Sequence, residues 1–342
     1  MTNNHFRPHH SNQVPADLSH FWVVTCLSNS PRYRRRYELY RAFAAMCECA
    51  GVNLVTVELA FGDRTHMVTD PENPRHLRLR SYEELFHKEN LINLGIQRAR
   101  HLDSLIDKVA WIDADMRPAR APRDWFEETW HELQHYKFVQ MYSEFYDFDY
   151  HHNLLGGGSP SFMGAYMKNG MLGPNAVMAS RPSNEQSGSI WYGPPGGAWA
   201  ADIRALDDIG MLPDFCILGS GDWHLACALT GSMSKRDPEM VSRRYSERLF
   251  EIQSRCDRWI KRDVGVVRGA MFHDNHGPKA SRKYRSRKTI LTRNCYDPGV
   301  DIKYDHQGVL MLETHSERQI RLRDETREYF RERNDDTPEY KK

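Results

Sequence analysis

The chain lacks any apolar run approaching the roughly 20 residues of a membrane span. Its 342 residues are 40% hydrophobic and 27% charged, a balance that predicts a soluble globular protein with no membrane partner. The stretch Met1 to Ser19 is polar and rich in His and Asn, and it lacks the apolar segment of a signal peptide. A disordered arm over 1–19 is expected there. Charge of one sign is missing too. The formal net charge is +1, which gives no global drive toward nucleic acid, although local basic clusters are present. Cysteines at positions 26, 47, 49, 216, 227, 256 and 295 are odd in number and irregularly placed, which predicts reduced thiols and a cytoplasmic location. Cys47 and Cys49 fall in a helical pattern, where residues two apart face about 200° from each other, so a shared metal is not expected. No internal repeat is visible. No G-x-G-x-x-G follows the first predicted strand, and no G-x-x-x-x-G-K-[ST] occurs, which argues against a dinucleotide fold and a usual P-loop.

What is present begins with strand and helix patterns in alternation. His20 to Leu27 reads as a strand buried on both faces. Ser28-Asn29-Ser30-Pro31 is suited to start a helix. That helix runs to about Ala50, with Tyr33, Tyr37, Tyr40, Ala44 and Cys47 on one face. Gly51 ends it, and Val52 to Ala60 is a second strand. Strand, helix and strand at this spacing predict a right-handed βαβ unit in a largely parallel sheet. Leu59 to Tyr82 reads as a polar loop, Glu83 to Leu102 and Ala121 to His135 as helices, and Lys137 to Tyr142 as a strand. Asn153 to Pro195 is rich in Gly, Pro, Ser and Met without a clear period, as long functional loops are. The second half is more helical. Trp199 to Ile209, Asp222 to Leu229, Asp237 to Arg262 and Glu317 to Arg333 fit helices, and Val264 to Phe272 reads as a late strand.

The most informative segment is Val109-Ala110-Trp111-Ile112-Asp113-Ala114-Asp115-Met116. A buried strand ends there in two carboxylates. Residues two apart in an extended chain point to the same side, roughly 7 Å apart. Two hard oxygen ligands suit a divalent cation carrying phosphates. An isolated Asp-x-Asp is also what a strand leaves when it runs into a polar turn. Placed after βα units, it fits a nucleotide-diphosphate site, because ligands of such sheets sit beyond the carboxyl ends of the strands.

Three later segments can join it. Gly196-Gly197-Ala198-Trp199-Ala200 and Gly219-Ser220-Gly221-Asp222-Trp223-His224 carry glycines that let backbone approach a ligand closely. Asp222 can act as a general base toward a hydroxyl or simply cap a helix. Phe272-His273-Asp274-Asn275-His276-Gly277 offers imidazoles that can complete a metal shell begun by Asp115. Lys279 to Lys288 is basic and can clamp a diphosphate or an acidic acceptor. A solvated charged helix is the alternative.

In this order, with Lys88-Glu89-Asn90-Leu91-Ile92-Asn93, the motifs resemble nucleotide-sugar-dependent glycosyltransferases of the GT-A fold over roughly residues 20 to 290. The Gly-Gly-Ala-Trp to Gly-Asp stretch is similar to the acceptor-side segment of the galactosyltransferase and polypeptide N-acetylgalactosaminyltransferase groups. Those groups often place Gly-Glu-Asp where this chain has only Gly221-Asp222. A more particular resemblance is to phage-type enzymes that glycosylate hydroxymethylpyrimidines in DNA. It rests on Lys-Glu-Asn-Leu and on the His-Gly followed by Arg282, Tyr284, Arg285 and Arg287.

The resemblance implies an α/β protein with a GT-A-type, Rossmann-like mixed sheet flanked by helices and a more helical C-terminal part. It implies a donor-binding half over 20–150, an acceptor-binding and catalytic half over 151–295, and a charged helical extension over 296–342. Thr25 and Leu27 would line the nucleotide pocket, Glu58 would meet the base or ribose, and Asn90, Arg282 and Arg285 would belong to the donor site. Asp113 would contact ribose or metal-bound water. Asp115 would ligate Mn²⁺ or Mg²⁺, with His276 or His273 as a further ligand. Asp222 would deprotonate the acceptor in an inverting enzyme. A retaining enzyme would need no such base. The donor expected is a UDP-linked nucleotide sugar, and the loop from Asn153 to Pro195 would close over it. Trp191, Gly197, Trp199 and Trp223 would form the acceptor side. Double-stranded DNA carrying hydroxymethylpyrimidine is the favoured acceptor, since Arg32, Arg34, Arg35, Arg36 and the Lys279–Lys288 stretch can track phosphates. A glycan acceptor, or nucleotidyl or phosphoryl transfer, is the alternative.

Overall fold

A computed structural model of the chain describes residues 14–169, 177–178, 191–233, 241–284 and 286–338. The first half runs β1 (Phe21–Ser28), α1 (Arg34–Ala50), β2 (Asn53–Phe61), β3 (His76–Ser81), α2 (Lys88–Leu102), β4 (Lys108–Ile112), β5 (Met116–Pro118), α3 (Pro122–Glu132), β6 (Phe138–Gln140) and β7 (Glu144–Asp147). There follow β8 (Ser159–Pro160), α4 (Phe162–Asn169), β9 (Val177–Met178), β10 (Trp191–Tyr192), β11 (Ala198–Asp202), α5 (Ile203–Ile209), α6 (Gly221–Leu229) and α7 (Arg243–Arg255). The chain closes with β12 (Val264–Val266), β13 (Ala270–His273), α8 (Lys288–Arg293), β14 (Ile302–Tyr304), β15 (Leu310–Leu312) and α9 (Glu317–Arg331).

Seven described strands form the central sheet in the order β12-β6-β11-β4-β1-β2-β3. β1 to β4 run parallel, and β11 is antiparallel to both β4 and β6. Alternation along β1 sorts its side chains. Trp22 and Val24 enter one apolar cluster with α2, α5 and α6, while Phe21 and Val23 enter another with α1 and α3. This is an α/β fold with a mixed sheet covered by helices on both faces. A smaller sheet, β5-β13-β7-β8, stands beside it. A third cluster joins Leu85, Phe215 and Tyr245 to Leu310, Leu322 and Tyr329 of the C-terminal part. The central sheet takes strands from both 20–150 and 151–295.

Several elements differ from the sequence reading. The stretch read as a loop from Leu59 to Tyr82 contains β3, an edge strand in which Leu77 and Leu79 alternate with arginines. Trp199, read as helical, lies in β11 at the middle of the sheet, and only Ile203–Ile209 is helix. The late strand is two strands. β12 pairs with β6 in the large sheet and β13 with β5 and β7 in the small one, with Gly269 at φ 133° in the break. Within Asn153 to Pro195 the chain forms α4, with Phe162, Met163 and Ala165 buried. The rest of that expected lid lies largely outside the described residues, as do residues 1–13 of the expected arm. Leu18, which falls in the arm, is buried beneath α1 and α3.

Candidate functional site

All five residues of β4 are buried, and the chain leaves the sheet at Asp113. The Asp113 N–H donates to the Gly197 carbonyl at 2.7 Å, and the Met116 N–H donates back to the Asp113 carbonyl at 3.1 Å. This turn delivers the chain into β5, which pairs antiparallel with β13 so that Met116 faces His273. The Asp274 N–H also donates to the Asp115 carbonyl at 2.9 Å. Residues far apart in sequence thereby meet. Asp115 Oδ2 lies 2.6 Å from His276 Nε2 and 3.5 Å from His273 Nε2. One ligand atom from each of the three residues lies within 4.8 Å of the others.

The donor set fits a divalent cation. His276 Nδ1 is 3.3 Å from Asp335 Oδ2, and His273 Nδ1 is 2.9 Å from Asp147 Oδ1. With the proton on Nδ1, where these carboxylates would accept it, each Nε2 would present a lone pair toward Asp115. A positive group already stands there, since a guanidinium nitrogen of Arg282 lies 2.9 Å from His276 Nε2. Burial alone would raise the Asp115 carboxyl, but the two imidazoles hold it well below the ordinary carboxylate range. Burial would likewise lower His273, yet Asp115 and Asp147 push it up to about 9. For His276, burial and the Arg282 guanidinium prevail and lower it.

Asp113 faces elsewhere. Its carboxylate is gripped by Lys88 Nζ, 2.6 Å from Oδ1 and 2.8 Å from Oδ2. Burial outweighs that pairing and raises its pKa. Lys88 opens α2, where the helix dipole disfavours a cation, and this was the available sign that it serves a partner.

Asp222 lies one residue inside α6, whose N-cap is Ser220. Its Oδ1 accepts from the Trp223 N–H at 2.8 Å. A Cβ added to Gly196 would come within 2.1 Å of Asp222 Oδ2, so the carboxylate rests on bare glycine backbone. A Cβ at Gly221 would meet Glu89 Oε1 at 2.5 Å. The buried carboxyl of Glu89, pushed up to about 8 chiefly by burial, therefore stands over the Gly221 backbone.

A cleft of about 860 Å³ runs between these groups. Of the residues singled out from sequence, Leu27, Asp113, Asp115, Gly197, Asp222, Trp223, His273, His276 and Arg282 line it. Others are not brought there. The Thr25 hydroxyl is buried and donates to the Ile112 carbonyl. Glu58 accepts from the backbone N–H groups of Met67, Val68 and Thr69, which removes it from a base or ribose. Asn90 clamps Gly308 and Leu310 of the C-terminal part. Trp199 is 1% exposed and donates to the Pro195 carbonyl, so it offers no stacking face. Arg285 and the side chain of Trp191 lie outside the described residues. Lys88, Asp147 and Asp335 line the cleft and were not assigned from sequence.

No protein-family model matches the chain, and no curated protein matches it. Solved structures do. The catalytic domain of Drosophila beta-1,4-galactosyltransferase 7 in complex with xylobiose is 12% identical, with 88% of this chain and 98% of that chain covered and a TM-score of 0.34. A mutant of the same enzyme in complex with manganese, UDP-Gal and xylobiose is 10% identical, with 89% and 98% covered and a TM-score of 0.37. A glycosyltransferase involved in glycosylation of the major capsid of PBCV-1 is 8% identical, with 89% and 98% covered and a TM-score of 0.30.

Proposed function

We propose that the chain is a metal-dependent glycosyltransferase that moves a sugar from a UDP-linked donor to an acceptor hydroxyl. The observation that carries this reading is the Asp115, His273 and His276 trio lining the same cleft as Asp222. Held by the trio, a divalent cation would supply the positive charge that a leaving nucleoside diphosphate needs. Two imidazoles beside one carboxylate suit Mn²⁺ better than Mg²⁺. Asp222 accepts the proton of the acceptor hydroxyl as it attacks the anomeric carbon, a role that carries inversion with it. Lys88 offsets the charge of Asp113, so the donor phosphates meet one carboxylate already neutralised. The cleft residues Arg282 and Arg287 add cations on the phosphate side.

The proposed acceptor is a hydroxymethylpyrimidine in DNA. Support comes from Arg282, Lys283, Arg287 and Lys288 along the cleft, a basic rim suited to phosphates. A second reading, a neutral glycan acceptor, is favoured by the pairing of Lys283 with Glu332 and of Arg36 with Asp335, which engages part of that basic surface internally. Among the described residues no helix is long and apolar enough to cross a membrane. The proposed compartment is the cytoplasm.

The test is mass spectrometry of hydroxymethylated DNA and of neutral glycosides after incubation with Mn²⁺ and a panel of nucleotide sugars. Asp115→Asn is expected to abolish transfer while the far-UV spectrum stays unchanged. Full activity in that variant sinks the reading. Calorimetric preference for nucleoside triphosphates over UDP-sugars would move the chain to nucleotidyl or phosphoryl transfer.

A further inference from the structure

The two histidines are held from behind by carboxylates on different parts of the chain. Asp147, at the end of β7, reaches His273 Nδ1 at 2.9 Å. Parallel pairing of β7 with β13 sets Asp147 opposite His273, so this contact is built into the small sheet. Asp335 comes from beyond α9 and reaches His276 Nδ1 at 3.3 Å with the same Oδ2 that accepts from Arg36 Nε at 2.6 Å. It is 2% exposed.

Its placement is over-determined. Asp336 accepts from the N–H groups of Arg34 and Arg35 at 2.9 and 2.8 Å, tying the segment to the start of α1. The Asn334 N–H donates to Tyr33 Oη at 2.9 Å. Gly277 follows His276 at φ 87°, and a Cβ there would stand 2.7 Å from Asp335 Cα. The C-terminal segment thus crosses directly over the His-Gly step. A ligating imidazole whose far nitrogen donates to a carboxylate is fixed in tautomer and ring orientation, and its ligating nitrogen becomes more basic.

We infer that Asp147 and Asp335 are positioning residues that set the Nε2 atoms of His273 and His276 for a divalent cation, and that the segment after α9 is part of the metal site. This rests on the metal-site reading given above.

Mn²⁺ affinity, read by the loss of the free-ion EPR signal on titration, tests it without any turnover. Asp335→Ala and Asp147→Ala are each expected to weaken Mn²⁺ about tenfold to a hundredfold. Asp335→Asn, whose amide oxygen still accepts from Nδ1, is expected to recover most of that loss. Asp336→Ala, which loosens the segment at α1 without touching an imidazole, is expected to stay within about twofold of the unmodified chain. Wild-type affinity in Asp335→Ala overturns the inference. Equal losses in Asp335→Ala and Asp336→Ala also overturn it, because docking of the segment alone would then be the cause. Should Asp335→Ala fail to fold, ¹⁵N spectra of the unmodified chain loaded with Zn²⁺ decide. Protonated Nδ1 and metal-bound Nε2 are expected on both rings, and the opposite pattern overturns the assignment. Asp115→Asn in the same titration separates the two levels. If it binds Mn²⁺ normally, the metal site itself is wrong; if it does not, a null result at Asp335 and Asp147 removes only this inference.

Discussion

Replacing Gly196 with Ala probes the proposed base without changing any polar group. The new Cβ would start 2.1 Å from Asp222 Oδ2, and ordinary contact begins at 3.4 Å, so a shift of roughly 1.3 Å is forced. The backbone is poorly placed to supply it. The Gly196 carbonyl accepts from Tyr142 Oη at 2.7 Å, and the next carbonyl, that of Gly197, accepts from the Asp113 N–H at 2.7 Å. The free end of the Asp222 side chain therefore moves. A misplacement of about 1 Å can cost around a hundredfold in rate, about 2.7 kcal/mol. Steady-state transfer with saturating UDP-sugar is the assay, with calorimetry to check that donor affinity is kept. The decisive comparison is with Asp222→Asn. If glycine matters only because it seats that carboxylate, Gly196→Ala adds nothing once the carboxylate is gone. A further hundredfold loss in the double variant, or wild-type turnover in Gly196→Ala, refutes the reasoning.

Lys88→Met leaves Asp113 beside Asp115 and Asp222 without its cation. Asp113 is 35% exposed, so the expected loss is about 1–2 kcal/mol, short of the ~3–5 kcal/mol for a fully buried pair. Urea unfolding measures it, and an unchanged midpoint would count against the pairing. His224 is 1% exposed, and burial together with Lys288 holds its imidazole down to about 3. The unfolded chain takes up a proton near pH 6.5 that the folded chain refuses. Stability is therefore complete above that pH and falls as acidity increases, by about 3 kcal/mol near pH 4. His224→Leu should flatten the urea midpoint between those two values; an identical slope in both proteins would exclude His224 as the cause.

What could be read from sequence was whatever repeats locally. β1, β2 and β4 are apolar runs, and helices α1, α2 and α9 show their period, so the α/β class and the Asp113–Asp115 turn were visible. β3 was passed over because two leucines among arginines look like a polar loop until β2 lies alongside. Trp199 was misplaced because alanines flank it, and only pairing on both sides makes that segment a strand. Among the site residues, those at loop ends beyond the sheet came together. Glu58 and Asn90 did not, since strand position alone does not say which backbone groups a long side chain will satisfy. Lys88, Asp147 and Asp335 belong to no shared pattern. They become neighbours of the site only through the salt bridge to Asp113, the β7–β13 pairing and the docking of the segment after α9.

The pairing of β5 with β13 couples ligand binding to conformational free energy. Neither strand alone carries the trio, so any cation that binds it draws its affinity partly from keeping that pairing closed. At a hundred times its dissociation constant, a bound ion adds about 2.7 kcal/mol to unfolding. The gain should appear as slowed amide exchange at Met116, Arg117 and Ala270–His273, whose local opening breaks the trio, and equally at those amides of β1 and β2 that exchange only through global unfolding. The small sheet then acts as a built-in gauge of occupancy, legible in the protein's own opening rates before any product is formed.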